Sequence, residues 1–321
     1  MSEKFKGIMA IRAGRAIALS KGMSGDAVEM TRNNDPLVSA YIEKSAVSGL
    51  TSSGVPAVAA DPIAVELGGH IFSQTVPGQL MEMAMNLPFG APVHSISAMG
   101  AGWVREGEGV PVSGGEVGSN KIKPYKIASL AVINKEVLFN ADTGTNLTLR
   151  NVITSAAVKK IDEKFMSADE VQDKLSPAGV LFGAAAASST IGELMRTHAA
   201  NGNDIKTSAL IVPLLDVGVN ITELDFKLYE RAGVKIIISQ YANNIAMIDA
   251  SKMIINVMGT IIDSSEEGSI EMESEPVNDI NDPQPAKMIN LFQENAIAMR
   301  AVTYCSWEVL GKAVTYYPAI P

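Results

Sequence analysis

The chain has 321 residues, 47% of them hydrophobic and 19% charged, with a formal net charge of -9 and an isoelectric point near 5.0. This is apolar enough for one large domain or two modest ones, and too acidic for a free-standing reader of duplex DNA, which normally presents a basic face to the phosphates. Cys305 is the single cysteine, which excludes an intrachain disulfide and a cysteine-based zinc site, and no apolar run approaches the ~18 residues that a bilayer span needs.

The opening residues, MSEKFKGIMAIRAGRAIALSKG, are basic and loosely amphipathic. They lack the continuous apolar core of a secretory signal. A mitochondrial presequence is one reading, but a positively charged helical arm lying on a neighbour suits the next forty residues better. Up to about residue 60, short helical pieces alternate with Gly, Ser and Pro and build no strong apolar face, so this part is expected to be extended rather than globular. From Asp61 the pattern tightens into short helix and strand signals that mark entry to the core.

Between Trp103 and Ile133 two strand-like runs flank the glycine-rich stretch GVPVSGGEVGSNKIKP, which predicts a long hairpin. Its rising limb carries Glu106 and Glu108, and its returning limb carries Lys121, Lys123 and Lys126, so opposite charges face across the ladder. Limbs of about 12 residues reach roughly 40 Å, and an isolated ribbon of that kind needs another surface to rest on. The glycines do not form a phosphate loop. Gly114 and Gly118 are too close together, Lys121 comes two places late, Ile122 stands where the hydroxyl should be, and no helix begins there.

The clearest helix lies next, in TNLTLRNVITSAAVKKIDEKF, where Leu149, Val152, Ile153, Ala156, Ala157, Ile161 and Phe165 recur at three- and four-residue spacing, with N-cap candidates in Asp142 to Thr145. After a small-residue linker a second lobe alternates helix and strand. Thr190 and Glu193 suggest a capping box opening a helix that Asn201 and Gly202 end. SALIVPLL reads as a buried strand, ITELDFKLYERAG as a helix stopped by Gly233, and VKIIISQ and AMIDASKMIINVMG as strands. An acidic strand-like run spans Asp263 to Asp282, and the alternation from Ile297 to Trp307 predicts a closing strand.

Chemistry is sparse. His70, His94 and His198 show no paired ligand spacing, and His198 is expected to be a packed or surface side chain on its helix. Cys305 sits among apolar neighbours and reads as a buried, inert thiol. The acidic run lacks a calcium-loop pattern and reads as a solvated or partner-facing strand. The residues therefore predict no catalytic, cofactor or metal site. Instead they predict several elements that cannot satisfy themselves in a monomer.

The order of these parts resembles the major capsid protein of tailed bacteriophages, the Hong Kong 97-type shell fold. The resemblance is carried by GAGWVREGEGVPVS, by the run from Asn120 to Phe165, by LSPAGV and by NLFQENAIAMRAV. It implies an α+β chain with an N-terminal arm (1–60), an E-loop hairpin (103–130), a peripheral domain (61–102, 131–183 and 264–300) with a spine helix at about 145–166, and an α/β axial domain (184–263 and 301–321). Under it, Glu106, Glu108, Gly114, Gly115, Gly118, Lys121, Lys123 and Lys126 are inter-subunit contacts of the E-loop. Lys121 and Asn290 are the nearest counterparts of a lysine and an asparagine that some members weld together, but neither matches the pattern, and no cross-link is predicted.

The function implied is a non-enzymatic head protein that assembles as hexamers and pentamers into an icosahedral virion shell around double-stranded DNA, in host cytoplasm during assembly. Its partners would be portal and scaffolding proteins, with a decoration protein as an optional one. Many members carry a long coiled-coil-like scaffolding region at the front and this sequence does not, so scaffolding is expected either as a separate protein, which numbering from Met1 favours, or as a segment that was removed. The rival readings are an encapsulin-like nanocompartment shell and a soluble α/β enzyme.

Overall fold

The computed structural model describes residues 7–20, 23–47, 62–96, 117–136, 143–172, 175–186, 191–271 and 288–317. Four helices come first: α1 (Ile8–Leu19), α2 (Ser24–Arg32), α3 (Pro36–Val47) and α4 (Pro62–Phe72). Proline opens α3 and α4, where its missing N–H costs nothing and its fixed φ suits the first turn. The short α5 (Val76–Leu80) is capped by Thr75, whose hydroxyl accepts from the Gly78 amide at 3.0 Å. Strands β1 (Pro92–Ile96), β2 (Val117–Lys121) and β3 (Tyr125–Asn134) precede the long α6 (Thr143–Phe165). The remaining elements are β4 (Ala185–Ala186), α7 (Ile191–Ala200), β5 (Ser208–Pro213), α8 (Glu223–Arg231), β6 (Lys235–Ser239), β7 (Ile245–Asp249), β8 (Met253–Ser265), β9 (Ser269–Glu271), β10 (Met288–Asn290), β11 (Ala296–Val309) and β12 (Val314–Tyr317).

The chain divides into two units. The first comprises Met1–Gln74, Lys126–Lys160 and Val257–Tyr304. Its strands come from a sheet ordered β3-β11-β8 and a small β10-β9 ribbon. Here the described part of the first sixty residues departs from the extended arm expected of it. It is helical, and α1 buries Ile8, Ala10, Ile11, Ala13, Gly14, Ala16 and Ala18. The sequence gives little warning, because close packing through Ala and Gly produces no large apolar stripe. A Cβ on Gly14 would lie 2.6 Å from Ile262 Cγ2 and 3.1 Å from Met299 Cε, so α1 rests directly on β8 and β11. Gly68 brings α4 equally close, since a Cβ there would stand 2.8 Å from the Met258 carbonyl oxygen. Between β8 and β11 the buried Thr260 and Thr303 hydroxyls satisfy each other at 2.7 Å.

The second unit comprises Thr75–Tyr125, Ile161–Asn256 and Cys305–Pro321. Its centre is a five-stranded sheet ordered β4-β12-β7-β5-β6, with β5 parallel to β6 and antiparallel to β7. Every residue of β5 is buried, as its uninterrupted apolar run predicts for a strand covered on both faces. Leu210 and Val212 of β5 and Ile245 and Met247 of β7 pack against Leu194 of α7 and Tyr229 of α8. Thr222 and Asp225 form a reciprocal capping box at the start of α8, and Gly233, at φ 80°, takes the left-handed conformation just past its end.

Helix α6 runs 23 residues, about 34 Å at ~1.5 Å per residue. Its buried face runs through Arg150, Ile153, Thr154, Ala157, Val158, Ile161, Asp162 and Phe165. Val152, expected on that face, is 56% exposed, because polar Arg150, Thr154 and Asp162 take buried positions that a hydrophobic count assigns to solvent.

Candidate assembly surfaces

The rising limb expected from Trp103 to Ser113 lies outside the described residues, and the described strand that pairs with β2 is β1. β2 pairs antiparallel with β1, joining Lys121 to Pro92 and Gly118 to Ser95. The returning run splits at Pro124, which has no N–H to give a ladder, and β3 then joins the three-stranded sheet. Gly118, Lys121 and Lys123 thus lie on the ribbon and its exit, Lys121 and Lys123 being exposed, whereas the exposed Lys126 belongs to β3. Glu106, Glu108, Gly114 and Gly115 lie outside the described residues, as does the part of the acidic run that falls within residues 272–287.

Beside Lys121 and Lys123 the second unit contains a cleft of about 470 Å³. Its floor is made by buried Ile122, Tyr125 and Trp307, and its rim by exposed Val171 and Phe182 together with Glu308. The indole N–H of Trp307 donates to the Ala178 carbonyl at 2.8 Å, and the ring meets Phe165 edge-on at 5.2 Å, so the floor is fixed by both ends of the side chain. After α6 the chain folds back so tightly that a Cβ on Gly179 would stand 2.0 Å from the Ser167 carbonyl oxygen. The amides of Val180 and Leu181 donate to the Phe165 and Ser167 carbonyls at 2.8 and 3.2 Å, which holds this side of the cleft.

Three buried ionisable groups invite a catalytic reading, and the geometry assigns them structural work. His198 is fully buried, with Nε2 2.9 Å from Ser208 Oγ and Nδ1 3.2 Å from Thr315 Oγ1. The Ser208 hydroxyl gives its one hydrogen to the Asp204 carbonyl, so it accepts from His198 Nε2–H, leaving Nδ1 as the acceptor for Thr315 and Asn203. A serine whose proton is spent on a backbone carbonyl is not an activated nucleophile. Burial pushes the imidazole down to about 4; nearby Asp249 works against that and Lys252 adds to it. The Cys305 thiol is buried and raised to about 12 by desolvation, the inert state expected for it.

Asp162, near the end of α6, is the third. Its carboxylate accepts from the Val76 amide at 2.8 Å and from the Ser239 hydroxyl at 3.3 Å, tying α6 to α5 and β6. Burial raises it to about 6, and the two hydrogen bonds hold it back from going further. Among the described residues no cluster of three or more His, Cys, Asp or Glu side chains is placed to hold a metal ion.

Two exposed apolar features leave no mark in the sequence pattern. Leu215, Val219 and Leu224 are 88%, 75% and 78% exposed around the start of α8. Phe292 is 80% exposed at the tip of the turn joining β10 to β11. Phe292 stands alone, and the four-residue spacing of Leu215 with Val219 and of Leu224 with Leu228 does not say whether a face is covered.

The fold has known counterparts. A chain of Gordonia phage Cozz superimposes with a TM-score of 0.51 at 15% identity, covering 75% of this chain and 86% of that one. One from Mycobacterium phage Bobi gives 0.51 at 16% identity over 75% and 90%, and one from Microbacterium phage Oxtober96 gives 0.51 at 11% over 85% and 96%. The chain has the α+β, Hong Kong 97-type fold of tailed-phage capsid subunits. A capsid polyprotein of Pseudomonas phage PAJU2 is 22% identical to it over 349 aligned positions, which cover 94% of this chain and 52% of the relative. The chain therefore spans about half the length of the curated relative it matches. No family model matches it.

Proposed function

We propose that the chain is the major subunit of a tailed-phage head, a structural protein of the virion that assembles as hexamers and pentamers into an icosahedral shell around double-stranded DNA. The observation that carries this is the correspondence along 94% of the chain to a protein named as a phage capsid polyprotein, joined to the capsid fold. The buried states of His198 and Cys305 suit a role without catalysis. Portal and scaffolding proteins are the partners this role calls for, a decoration protein is an optional one, and the net charge of -9 suits a wall that confines DNA without gripping it. Among the described residues no helix is long and apolar enough to cross a membrane.

In this reading residues 1–60 form an N-terminal arm that is helical where described, with α1 packed on β8 and β11, 103–130 the E-loop, 61–102, 131–183 and 264–300 the peripheral domain, and 184–263 and 301–321 the axial domain. Glu106, Glu108, Gly114, Gly115, Gly118, Lys121, Lys123 and Lys126 are its inter-subunit contacts. The test is to purify particles made by the chain with its scaffolding and packaging partners, treat them with nuclease and extract the contents. Protected double-stranded DNA supports the head, and a protein cargo in its place supports the nanocompartment instead.

A further inference from the structure

We infer that the turn carrying Phe292 in one copy of the chain inserts into the cleft floored by Trp307 in a neighbouring copy. This rests on the proposed assembly into a shell and names the residues of one contact within it. The turn is built to present its aromatic ring. Asn290 Oδ1 accepts from the Phe292 and Gln293 amides at 3.1 and 3.2 Å, the Ala296 amide donates to the Leu291 carbonyl at 2.9 Å, and Asn295 takes φ 49° to close the loop. Leu291 is buried beneath, so Phe292 stands on a fixed base with its ring in solvent. An ordered exposed aromatic needs little further entropy to bind, which is the profile of an interface anchor.

The cleft matches it in size and charge. About 470 Å³ accommodates an aromatic side chain with its flanking residues, and the exposed Phe182 and Val171 at the rim close over such a ring. Glu294, exposed two residues after Phe292, meets a rim that carries two exposed lysines, Lys121 and Lys123, against one acid, Glu308. Knob and cleft are different surfaces, so the contact is heterologous: each copy gives a knob to one neighbour and a cleft to another, the relation that generates rings.

In a chain whose lone cysteine is removed by Cys305→Ala, the pair Phe292→Cys and Phe182→Cys should give, on mild oxidation of assembled particles, a ladder of covalent oligomers beyond the dimer. Each single cysteine stops at dimer or below. Phe292→Ala should raise the concentration needed for assembly by about ten- to hundredfold without moving the melting midpoint of the isolated subunit. Glu294→Lys should weaken assembly, and Lys121→Glu should restore it. Particles that form while the double-cysteine chain gives no ladder, or Phe292→Ala assembling at the parental concentration, would overturn the contact and leave the shell reading standing. A ladder from Gly114→Cys with Phe182→Cys, in place of Phe292→Cys, would give the cleft to the glycine stretch. Failure of the parental chain to form particles with its scaffolding partner would remove the shell reading and this contact together.

Discussion

Asp162→Asn should make the second unit more stable at pH 7 and leave it unchanged near pH 4. In the folded chain Asp162 titrates at about 6, against 3.8 as a free side chain, so unfolding releases a proton between these values and stability falls as pH rises through them. The shift of about two units corresponds to roughly 3 kcal/mol, full above pH 6 and absent below 3.8. His198 acts in the opposite sense. Its folded value of about 4 lies below the ordinary 6.5, so unfolding takes up a proton and stability is lost as pH falls from 6.5 to 4, again by roughly 3 kcal/mol. The groups facing His198 are Asp249, held below the usual carboxylate range by hydrogen bonds from Ser251, Thr207 and Asp204 despite its burial, and Lys252. Asp249 adds its own loss only below 3.8, outside the shared window.

Between pH 4 and 6 the two slopes oppose, and the parental second unit should show a shallow profile. Asparagine keeps the acceptor for the Val76 amide and removes one slope, so the variant should lose roughly 3 kcal/mol on going from about pH 6.5 to 4. The assay is urea unfolding of the unassembled subunit at each pH, read by Trp307 fluorescence with Trp103→Phe, since the chain has two tryptophans and Trp307 lies in the unit concerned. A difference between variant and parent that stays constant from about pH 4 to 7 would refute the assignment of the buried carboxylate.

Three further outcomes rest on packing. Gly68→Ala should cost about 1–3 kcal/mol in thermal unfolding, because its Cβ meets the backbone at Met258, whereas Gly69→Ala, with nothing within 4 Å, should cost nothing or gain up to about 1 kcal/mol of helix propensity. Gly179→Ala should be at least as damaging as Gly68→Ala, since the Cβ would overlap the Ser167 carbonyl, and circular dichroism melts check the order. Native Cys305 should resist iodoacetamide at about pH 8 and react fully in denaturant, as mass spectrometry would read directly; prompt native alkylation would contradict a thiol raised to about 12.

What the sequence carried was whatever repeats locally. Helix α6 was visible because its period holds for about six turns, and β5 because its apolar run is unbroken and bounded by polar residues. Helix α1 was misread as part of an extended arm, since Ala and Gly contribute close approach rather than an apolar stripe, and the surface Gly14 rests on comes from residues 262 and 299. The break of the returning limb at Pro124 was available in the sequence, although the partner of β2 at residues 92–96 was not. The cleft was beyond reach for a stronger reason. Its walls come from residues 121–125, from Val171, Pro177, Ala178, Gly179 and Phe182, and from residues 306–309, and no local pattern joins them. The same holds for Asp162, whose partners Val76 and Ser239 lie 86 and 77 positions away.

Assembly is tested by electron cryomicroscopy of the chain produced with the scaffolding protein proposed for it. Closed icosahedral shells are expected, with fivefold and sixfold capsomers into which the subunit fits. A population held at small discrete oligomers at every concentration, with no shells and no capsomer rings, would contradict it.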